Sequence, residues 1–367
     1  MSQKTALHIN SYFLSNKIHY YFYKQLLKKR NDQFLIPVYK HFKQEDIPEV
    51  DIDYVFGKVD KAIFVTKILK VVRLFYRKKY RDFDYLHGHT LISDGIPTFI
   101  LSLLLKKEFV VSVRITDISL FIRRSVVFKY VGRKILSKAK AVFFISPSLK
   151  SKIEELYPDL DSSKYHLMPN GLAPYWLEEK KTVRERPAFD QQVKLLFVGK
   201  IIPRKNIDIL IKFLEKKQKY PYELTVAGEN VLEMDFNKIN SIFPPGNKIK
   251  YLGKLNSIEE LRSAYDNNNI FVLLSLSETF GAVYTEALSR GLPIVYTRGE
   301  GVDGFFEEGE VGFSCSNSSV EELQEKMEQI ILSYRNISTN AYKRSKDFDW
   351  DIIVHNYLIT INNTIAI

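Results

Sequence analysis

The part of the chain that most constrains its fold is residues 269–297, NIFVLLSLSETFGAVYTEALSRGLPIVYT. An apolar run at 270–274 has the length of a buried strand, and a second run follows at 294–296. Polar residues before Gly281 predict the start of a helix, and Gly291 predicts its end. A strand, a helix and a strand in this order predict a parallel βαβ unit. Its helix N-terminus lies at the carboxyl edge of the sheet, where such folds bind anions and ligands.

Two carboxylates flank the predicted start of this helix. Glu278 lies in the turn, and Glu286 lies about two turns into the helix. The backbone N–H groups of Phe280, Gly281 and Ala282 would point into the same space and could donate to a phosphate or to sugar hydroxyls. Two glutamates are also common on the surface of a helix, so the pair by itself does not identify a site.

Length and composition predict a globular protein of two domains. The chain has 367 residues, of which 45% are hydrophobic and 26% charged. The single cysteine, Cys315, excludes an internal disulfide framework and a cysteine metal cluster, which favours a reducing compartment. The N-terminus resembles no signal peptide, and apolar runs are shorter than a membrane span. The sequence therefore predicts a cytoplasmic protein.

The net charge of +11 is concentrated in the first half of the chain. Residues 1–190 contain 34 Lys and Arg and 20 Asp and Glu, a net +14, whereas residues 191–367 contain 20 and 23, a net −3. Residues 61–81 have the pattern of a basic amphipathic helix, and a second basic segment follows at 123–140. For the apolar stripe, a core-facing helix with a solvated cationic side is the preferred interpretation. The cationic side would still attract a polyanion, and we expect an anionic membrane surface rather than nucleic acid.

The sequence segments around the two glutamates resemble those of a known family. Glu278 is followed by Thr-Phe-Gly, and Glu286 by Ala-Leu-Ser-Arg-Gly-Leu-Pro-Ile-Val, which is similar to the signature of glycosyltransferase family 4. That resemblance implies an α/β protein of GT-B fold, with two Rossmann-like doubly wound domains facing across a cleft and a C-terminal helix crossing back to the first domain. The corresponding boundaries are an acceptor-binding domain at 1–185, a nucleotide-sugar-binding domain at 186–345 and a crossover helix at 346–367.

The resemblance also implies roles for the donor site. Glu278 would lie beside the donor sugar, Glu286 would bond the ribose, and Lys205 would contact the diphosphate. Lys200 stands where the family has an arginine, so bidentate geometry is lost there, and Arg204 could compensate. A solvated basic turn is the alternative for this segment. The remaining expected donor contacts are Gly199, Thr279, Phe280, Gly281, Ala282 and Val283.

The first half resembles the family only in patches. The loop after the first predicted strand, with Asn10 and Ser11, lacks the family's glycines. Arg114 stands where the family has a histidine near the transferred sugar, and arginine cannot act as a base. The other candidates for contacting the acceptor are His87, His89 and Asp117, although histidines at a strand end are equally often structural. Since the sequence shows no third ligand beside the two histidines, it predicts no metal site.

Together these patterns predict a retaining glycosyltransferase that uses a UDP- or GDP-sugar and needs no metal or other cofactor. The leaving phosphate would take the acceptor proton, as is thought for the family. The acceptor would be a saccharide or lipid-linked saccharide in the assembly of a bacterial surface polysaccharide. The enzyme would lie peripherally on the inner face of the plasma membrane, and we expect no nucleic-acid partner. The alternatives are a GT-B sugar epimerase or phosphorylase, and a basic binding protein without turnover.

Overall fold

The computed structural model of this chain describes residues 4–42, 47, 50–177, 189 and 192–365. The chain divides into two compact units. The first consists of Met1–Ile145, Leu149–Gly171 and Trp350–Ile367, and the second of Ser146–Ser148 and Leu172–Asp349. The boundary expected at 185/186 lies outside the described residues.

The first unit is built on a parallel sheet. Its strands within the described residues are β1 (Ala6–Ile9), β2 (Gln33–Tyr39), β3 (Ile52–Phe56), β4 (Tyr85–Gly88), β5 (Glu108–Val113), β6 (Val142–Phe144) and β7 (Tyr165–Leu167), in the spatial order β3-β2-β1-β4-β5-β6-β7. The order reverses direction at β1, so the carboxyl ends of β1 and β4 meet at the switch point, where α/β sheets place their ligands. The register sets His8 of β1 beside His87 of β4.

Helices cover both faces of this sheet, as the apolar strands require. They are α1 (Lys17–Leu27), α2 (Lys58–Ala62), α3 (Phe64–Lys78), α4 (Gly95–Leu105), α5 (Val126–Lys138) and α6 (Pro147–Leu156). The single helix predicted at 61–81 is thus two helices that break at Ile63. The second ends where Lys79 adopts a left-handed conformation with φ of 54°.

The last helix, α12 (Trp350–Thr364), belongs to the first unit, as predicted. Its apolar side contributes Trp350, Val354, Tyr357 and Ile361 to a buried cluster that also contains Phe22 of α1. Burial of each such side chain is worth about 1.5–3 kcal/mol. The C-terminal residues therefore complete the core of the unit that the N-terminal residues begin.

The second unit is also built on a parallel sheet. Its strands within the described residues are β8 (Val193–Val198), β9 (Tyr222–Ala227), β10 (Lys248–Gly253), β11 (Ile270–Leu273), β12 (Ile294–Thr297) and β13 (Gly312–Cys315), in the order β10-β9-β8-β11-β12-β13. Its helices are α7 (Asp208–Glu215), α8 (Phe236–Asn240), α9 (Ile258–Asp266), α10 (Ala282–Ser289) and α11 (Val320–Ser345). The strand-helix-strand unit predicted for 269–297 is confirmed as β11, α10 and β12.

The direction of this sheet reverses between β8 and β11. The loop after β8 and the turn after β11 therefore share one carboxyl edge. Among the described residues, no helix has both the length and the apolar character needed to cross a membrane.

Candidate functional site

The centre of the candidate site in the second unit is an ion pair between the loop after β8 and the turn after β11. Nζ of Lys205 lies 2.5 Å from Oε2 of Glu278. Both side chains are largely buried, with 13% and 9% of their surface exposed, so solvent screens the pair little. The structure thus brings together two residues 73 positions apart for which sequence analysis predicted roles at one diphosphate-sugar site.

The turn that carries Glu278 is held by hydrogen bonds to a third loop. The Glu278 N–H donates to Oε2 of Glu300 over 2.9 Å, and the Gly301 N–H donates to the Glu278 carbonyl over 3.1 Å. Gly301 has a φ of 58°, and a Cβ there would lie 3.1 Å from Cγ of Glu278. Glycine is therefore required both by the backbone and by the close approach. This loop fixes where Glu278 points.

The N-terminus of α10 lies directly after this turn. Gly281 caps the helix with a left-handed φ of 77°, which leaves the first N–H groups of α10 without a capping side chain. The ring of Phe280 is buried against Phe305 and Phe348, so its predicted donor contact could come only from its backbone. The Thr279 N–H already donates to Oε1 of Glu278 over 3.1 Å. Ala282, at the first helical position, is exposed.

Glu286 lies further along α10 and bonds a tyrosine. The hydroxyl of Tyr265, in α9, donates to Oε2 of Glu286 over 3.0 Å. Burial raises the pKa of Glu286 to about 7, although the Tyr265 hydrogen bond lowers it. Val283 accepts a hydrogen bond from the same hydroxyl through its carbonyl. Sequence analysis missed Tyr265, because nothing in its surroundings along the chain distinguishes it from an ordinary core tyrosine.

The other basic residues of the β8 loop lie apart from this ion pair. Lys200 is 66% exposed and pairs with Glu229 at 2.7 Å, away from Glu278. Arg204 donates to the Ser277 carbonyl over 2.6 Å and lies 3.9 Å from Oε2 of Glu278. Three cations were expected to bind the phosphates. The structure places Lys205 against Glu278 and Arg204 next to this pair, whereas Lys200 pairs with Glu229 instead.

Two residues of the loop that carries Lys205 have backbone conformations that few residues adopt. Asn206 adopts a left-handed conformation, with φ of 52°, and donates through Nδ2 to the carbonyls of Leu274 and Asn317. Asparagine tolerates this conformation better than most residues. Gly199 has a φ of 152°, and Cε of Lys205 lies 3.7 Å from where its Cβ would be.

In the first unit, the residues predicted to contact the acceptor substrate lie at the carboxyl edge of the parallel sheet. The carboxylate of Asp117 accepts from the N–H groups of Leu91, Ile92 and Arg114 over 2.8–2.9 Å. Burial raises its pKa to about 6, despite these bonds. The Ser11 N–H donates to Oδ1 of Asp94 over 3.0 Å.

Arg114 and Asn10 lie at the same edge. Burial lowers the pKa of Arg114 to about 10, which still leaves the guanidinium charged at neutral pH. Its Nε lies 3.4 Å from the His89 carbonyl, and its Nη1 lies 3.3 Å from Oδ1 of Asn170. Asn10 lies 3.2 Å from the ring of His19. Their contact with an acceptor remains a prediction.

The two predicted histidines have a buried partner that sequence analysis did not identify. One ring nitrogen of each of these histidines and one of His8 lie within 4.8 Å of one another. The expectation that no third ligand lies nearby is therefore wrong. The strand periodicity of β1 could have found His8, because a polar residue in the apolar run ALHI marks a buried polar network.

The geometry does not suit one metal ion bound by all three rings. The rings of His87 and His89 are nearly parallel, with centroids 4.4 Å apart and planes inclined by 17°. Imidazole binds a metal in the plane of its ring at about 2.0–2.1 Å, and nearly parallel rings cannot both do so. Moreover, both nitrogens of His87 are hydrogen-bonded, to the Tyr357 hydroxyl at 3.0 Å and to Ser112 at 2.9 Å.

Comparisons with known proteins agree with this arrangement. Residues 179–345 match the family described as glycosyl transferases group 1. The sulfoquinovosyl transferase of Arabidopsis thaliana is 25% identical over 183 residues, which make up 48% of this chain and 34% of that protein. An uncharacterized glycosyltransferase of Methanocaldococcus jannaschii is 22% identical over 339 residues, 89% of each chain. This chain thus spans about a third of the first relative and most of the second.

A solved structure supports the fold over the whole chain. The Anabaena protein HepE in complex with UDP superposes with a TM-score of 0.71 at 18% identity, over 98% of this chain and 100% of that one. At this identity the likeness shows the fold alone. The GT-B fold expected from the sequence, with two Rossmann-like parallel-sheet domains, is confirmed.

Proposed function

Because residues 179–345 match the group 1 glycosyltransferases, we propose that this chain transfers a sugar from a UDP- or GDP-sugar to an acceptor hydroxyl, with retention at the anomeric carbon. The observation that carries this proposal is the ion pair of Lys205 and Glu278 beside the N-terminus of α10. A cation and free backbone N–H groups at one sheet edge are what a leaving diphosphate needs. The carboxylate of Glu278, which lies at the same edge, can accept hydrogen bonds from the hydroxyls of a donor sugar.

In this mechanism the charge on the diphosphate grows as the glycosidic bond breaks. Lys205, with Arg204 nearby, and the positive end of the α10 dipole would stabilise that charge. Glu286 would accept hydrogen bonds from the ribose. No acid-base side chain is assigned to the acceptor proton, because Arg114 stays protonated, and the leaving phosphate would take this proton on the same face of the sugar. We propose that turnover requires neither a metal nor another cofactor.

We further propose that the acceptor is a saccharide carried on a lipid in an anionic membrane, as in bacterial surface polysaccharide assembly. The structure changes which residues best support this idea. Of the cationic stretch at 70–81, Lys70 pairs with Asp60, and Lys78 lies 2.6–2.7 Å from Asp51 and Asp53. These two charges are therefore used within the unit, whereas Arg73, Arg77, Lys79 and Arg81 are exposed.

A second surface combines exposed apolar and basic side chains. At the start of α5, Val126, Val127 and Tyr130 are 85%, 69% and 65% exposed, and Arg123 and Arg124 directly before them are also exposed. We call these five residues the α5 face. Apolar side chains flanked by arginines are the composition of a segment that lies in a membrane interface. Docking there would keep the enzyme peripheral to the inner face of the plasma membrane.

The donor assignment is tested by calorimetry with UDP, since HepE of the same fold was solved with UDP. The parent protein should bind UDP, and Glu286→Ala should weaken binding by about 1.5–3 kcal/mol, since a hydrogen-bonded charge is lost. Hydrolysis of UDP-sugars and GDP-sugars then identifies the donor. If the parent hydrolyses none of them and the variant binds UDP as tightly as the parent, the proposed function is wrong.

A further inference from the structure

Two chains of buried hydrogen bonds start at Arg30 in the first unit. Nη2 of Arg30 donates to Oδ2 of Asp32 over 2.6 Å and to the Tyr85 hydroxyl over 2.7 Å. Asp32 precedes β2, and Tyr85 begins β4, so each chain enters the sheet from a different strand. Arginine can only donate, so the Asp32 carboxylate and the Tyr85 hydroxyl both accept from it.

The first chain leads through His8 to His89. Oδ2 of Asp32 lies 3.0 Å from Nε2 of His8, and Nδ1 of His8 lies 3.0 Å from Nε2 of His89. All three side chains are buried. The ring of His8 also stacks on Phe34, with centroids 4.7 Å apart and planes at 11°. The chain is thus held both by hydrogen bonds and by packing.

The protonation of this chain follows from its chemistry. Burial lowers the pKa of both His8 and His89, so each ring is neutral and carries one proton. Burial raises the pKa of Asp32, but hydrogen bonds from His8 and Arg30 outweigh it, and the pKa is lowered. The Asp32 carboxylate can only accept, so the proton of His8 is on Nε2. Nδ1 of His8 must then accept from Nε2–H of His89.

This order leaves Nδ1 of His89 without a proton. Among the described residues it has no hydrogen-bond partner, and His89 directly follows β4 at the carboxyl edge of the sheet. The second chain ends differently. It runs from Tyr85 through Tyr357 to His87 and Ser112, and it occupies both nitrogens of His87.

We propose that Asp32 and His8 are positioning residues that hold His89 in its Nε2–H tautomer, so that Nδ1 accepts a hydrogen bond from a hydroxyl of the acceptor sugar. The acceptor contact rests on the proposed function, whereas the tautomer does not. His89 is then the residue of the pair that faces the acceptor, and His87 is part of the interior. The proton of the attacking hydroxyl goes to the leaving phosphate, so His89 bonds another hydroxyl of the acceptor and orients the sugar without removing a proton.

The first experiment measures the tautomer in the full chain by nitrogen-15 NMR of labelled histidines. The parent should show His89 protonated at Nε2. His8→Phe should release His89 into a mixture of tautomers, while the new ring keeps its stacking on Phe34. His8→Gln, which can still accept from His89 and donate to Asp32, should restore the parent state. Ser112→Ala, which shortens only the second chain, is the matched control and should leave His89 unchanged.

The second experiment adds a panel of methyl glycosides as acceptor probes. At least one should shift the His89 Nδ1 resonance in the parent and bind about fivefold more weakly to His8→Phe, the loss of one hydrogen bond. A parent with His89 protonated at Nδ1 would overturn the positioning role. If the tautomer is as expected and the donor is turned over, but no glycoside shifts this resonance, the acceptor contact is wrong. A parent that turns over no donor would instead contradict the proposed function, and the tautomer would still decide the role of Asp32 and His8.

Discussion

In the second unit, Lys205 and Glu278 form a charged pair beside a helix N-terminus, whereas in the first unit Asp32, His8 and His89 form a chain that ends in neutral rings. The charged pair joins two loops, and both of its members can exchange their partner for a ligand. The chain runs through the core, and the order of its protons is fixed by the Asp32 carboxylate, which can only accept. The first arrangement can respond to a growing charge, and the second can only present a group in a fixed orientation.

The two units also use their cations differently. In the second unit, which carries the lower net charge, Lys205 lies at the site itself. In the first half of the chain, net +14, the basic residues named here lie mainly on the surface or in internal ion pairs. Under the proposed function, the charge of the second unit would act in the chemistry and the charge of the first unit in docking.

The strongest test of this comparison is the removal of Lys205. Lys205→Ala should lower kcat by about 10²–10³-fold, because the lost charge acts most strongly on the leaving diphosphate. Lys200→Ala is the matched control and should change kcat by about twofold at most, since Lys200 is exposed and pairs with Glu229. Steady-state kinetics with the identified donor measures both. Equal effects from the two lysines would show that the β8 loop is only a solvated basic turn.

The second test removes charge from the α5 face. Changing Arg123 and Arg124 to serine should weaken binding to anionic liposomes by about 2 kcal/mol, or about 30-fold, since each cation near such a surface contributes about 1 kcal/mol. Sedimentation at low and high salt measures this, because salt screens exposed charges. Changing the exposed Lys217 and Lys219 of the second unit to serine is the control for net charge. If both pairs reduce binding equally, or if the parent prefers duplex nucleic acid, the α5 face is not a membrane site.

The third test expects a smaller effect. UDP affinity should depend on pH through a group in the second unit and not through His87 and His89 of the first unit. Burial raises the pKa of Glu286 to about 7, so this carboxyl is protonated below neutral pH and ionised above it. Only the ionised form accepts fully from both ribose hydroxyls, so UDP affinity should rise about fivefold between about pH 6 and pH 8, the value of one hydrogen bond. Burial lowers the pKa of His87 and His89 well below the usual value for histidine, so these two rings stay neutral over this range and should contribute nothing.

Glu286→Gln provides the control for this pH dependence. The amide cannot ionise, so the variant retains only the titration of UDP itself. Calorimetry on both proteins at each pH isolates the contribution of Glu286. A rise in affinity that is the same in both proteins would show that Glu286 does not bond the ribose.

The last test expects no effect. A chelator should leave turnover unchanged, because cationic groups already face the expected position of the diphosphate. Loss of turnover with a chelator, restored by magnesium or manganese, would contradict this prediction. Measuring the tautomer of His89 with and without zinc would further test whether its cluster binds an ion despite the ring geometry.

The sequence predicted the second unit better than the first for a physical reason. Residues 269–297 form one supersecondary unit whose strands, cap and carboxylates are adjacent along the chain, so local patterns were sufficient. Lys205 could be placed with Glu278 because both follow strands that end at one sheet edge. The same reasoning placed Lys200 at this site too, since a strand end determines a region but not the direction of an exposed side chain.

By itself, the sequence determined the two parallel sheets, the return of the last helix to the first unit and the residues that form the second unit's charged pair. Tertiary structure alone decided which buried polar groups meet in the first unit. His8 lies in β1, Asp32 precedes β2 and His89 follows β4. Tyr357 lies in α12, 270 positions from its partner His87. Their pairing depends on sheet register and on the packing of α12, and neither leaves a local pattern in the chain. Only after folding do these side chains lose water together, and then each must find a partner for its hydrogen bonds.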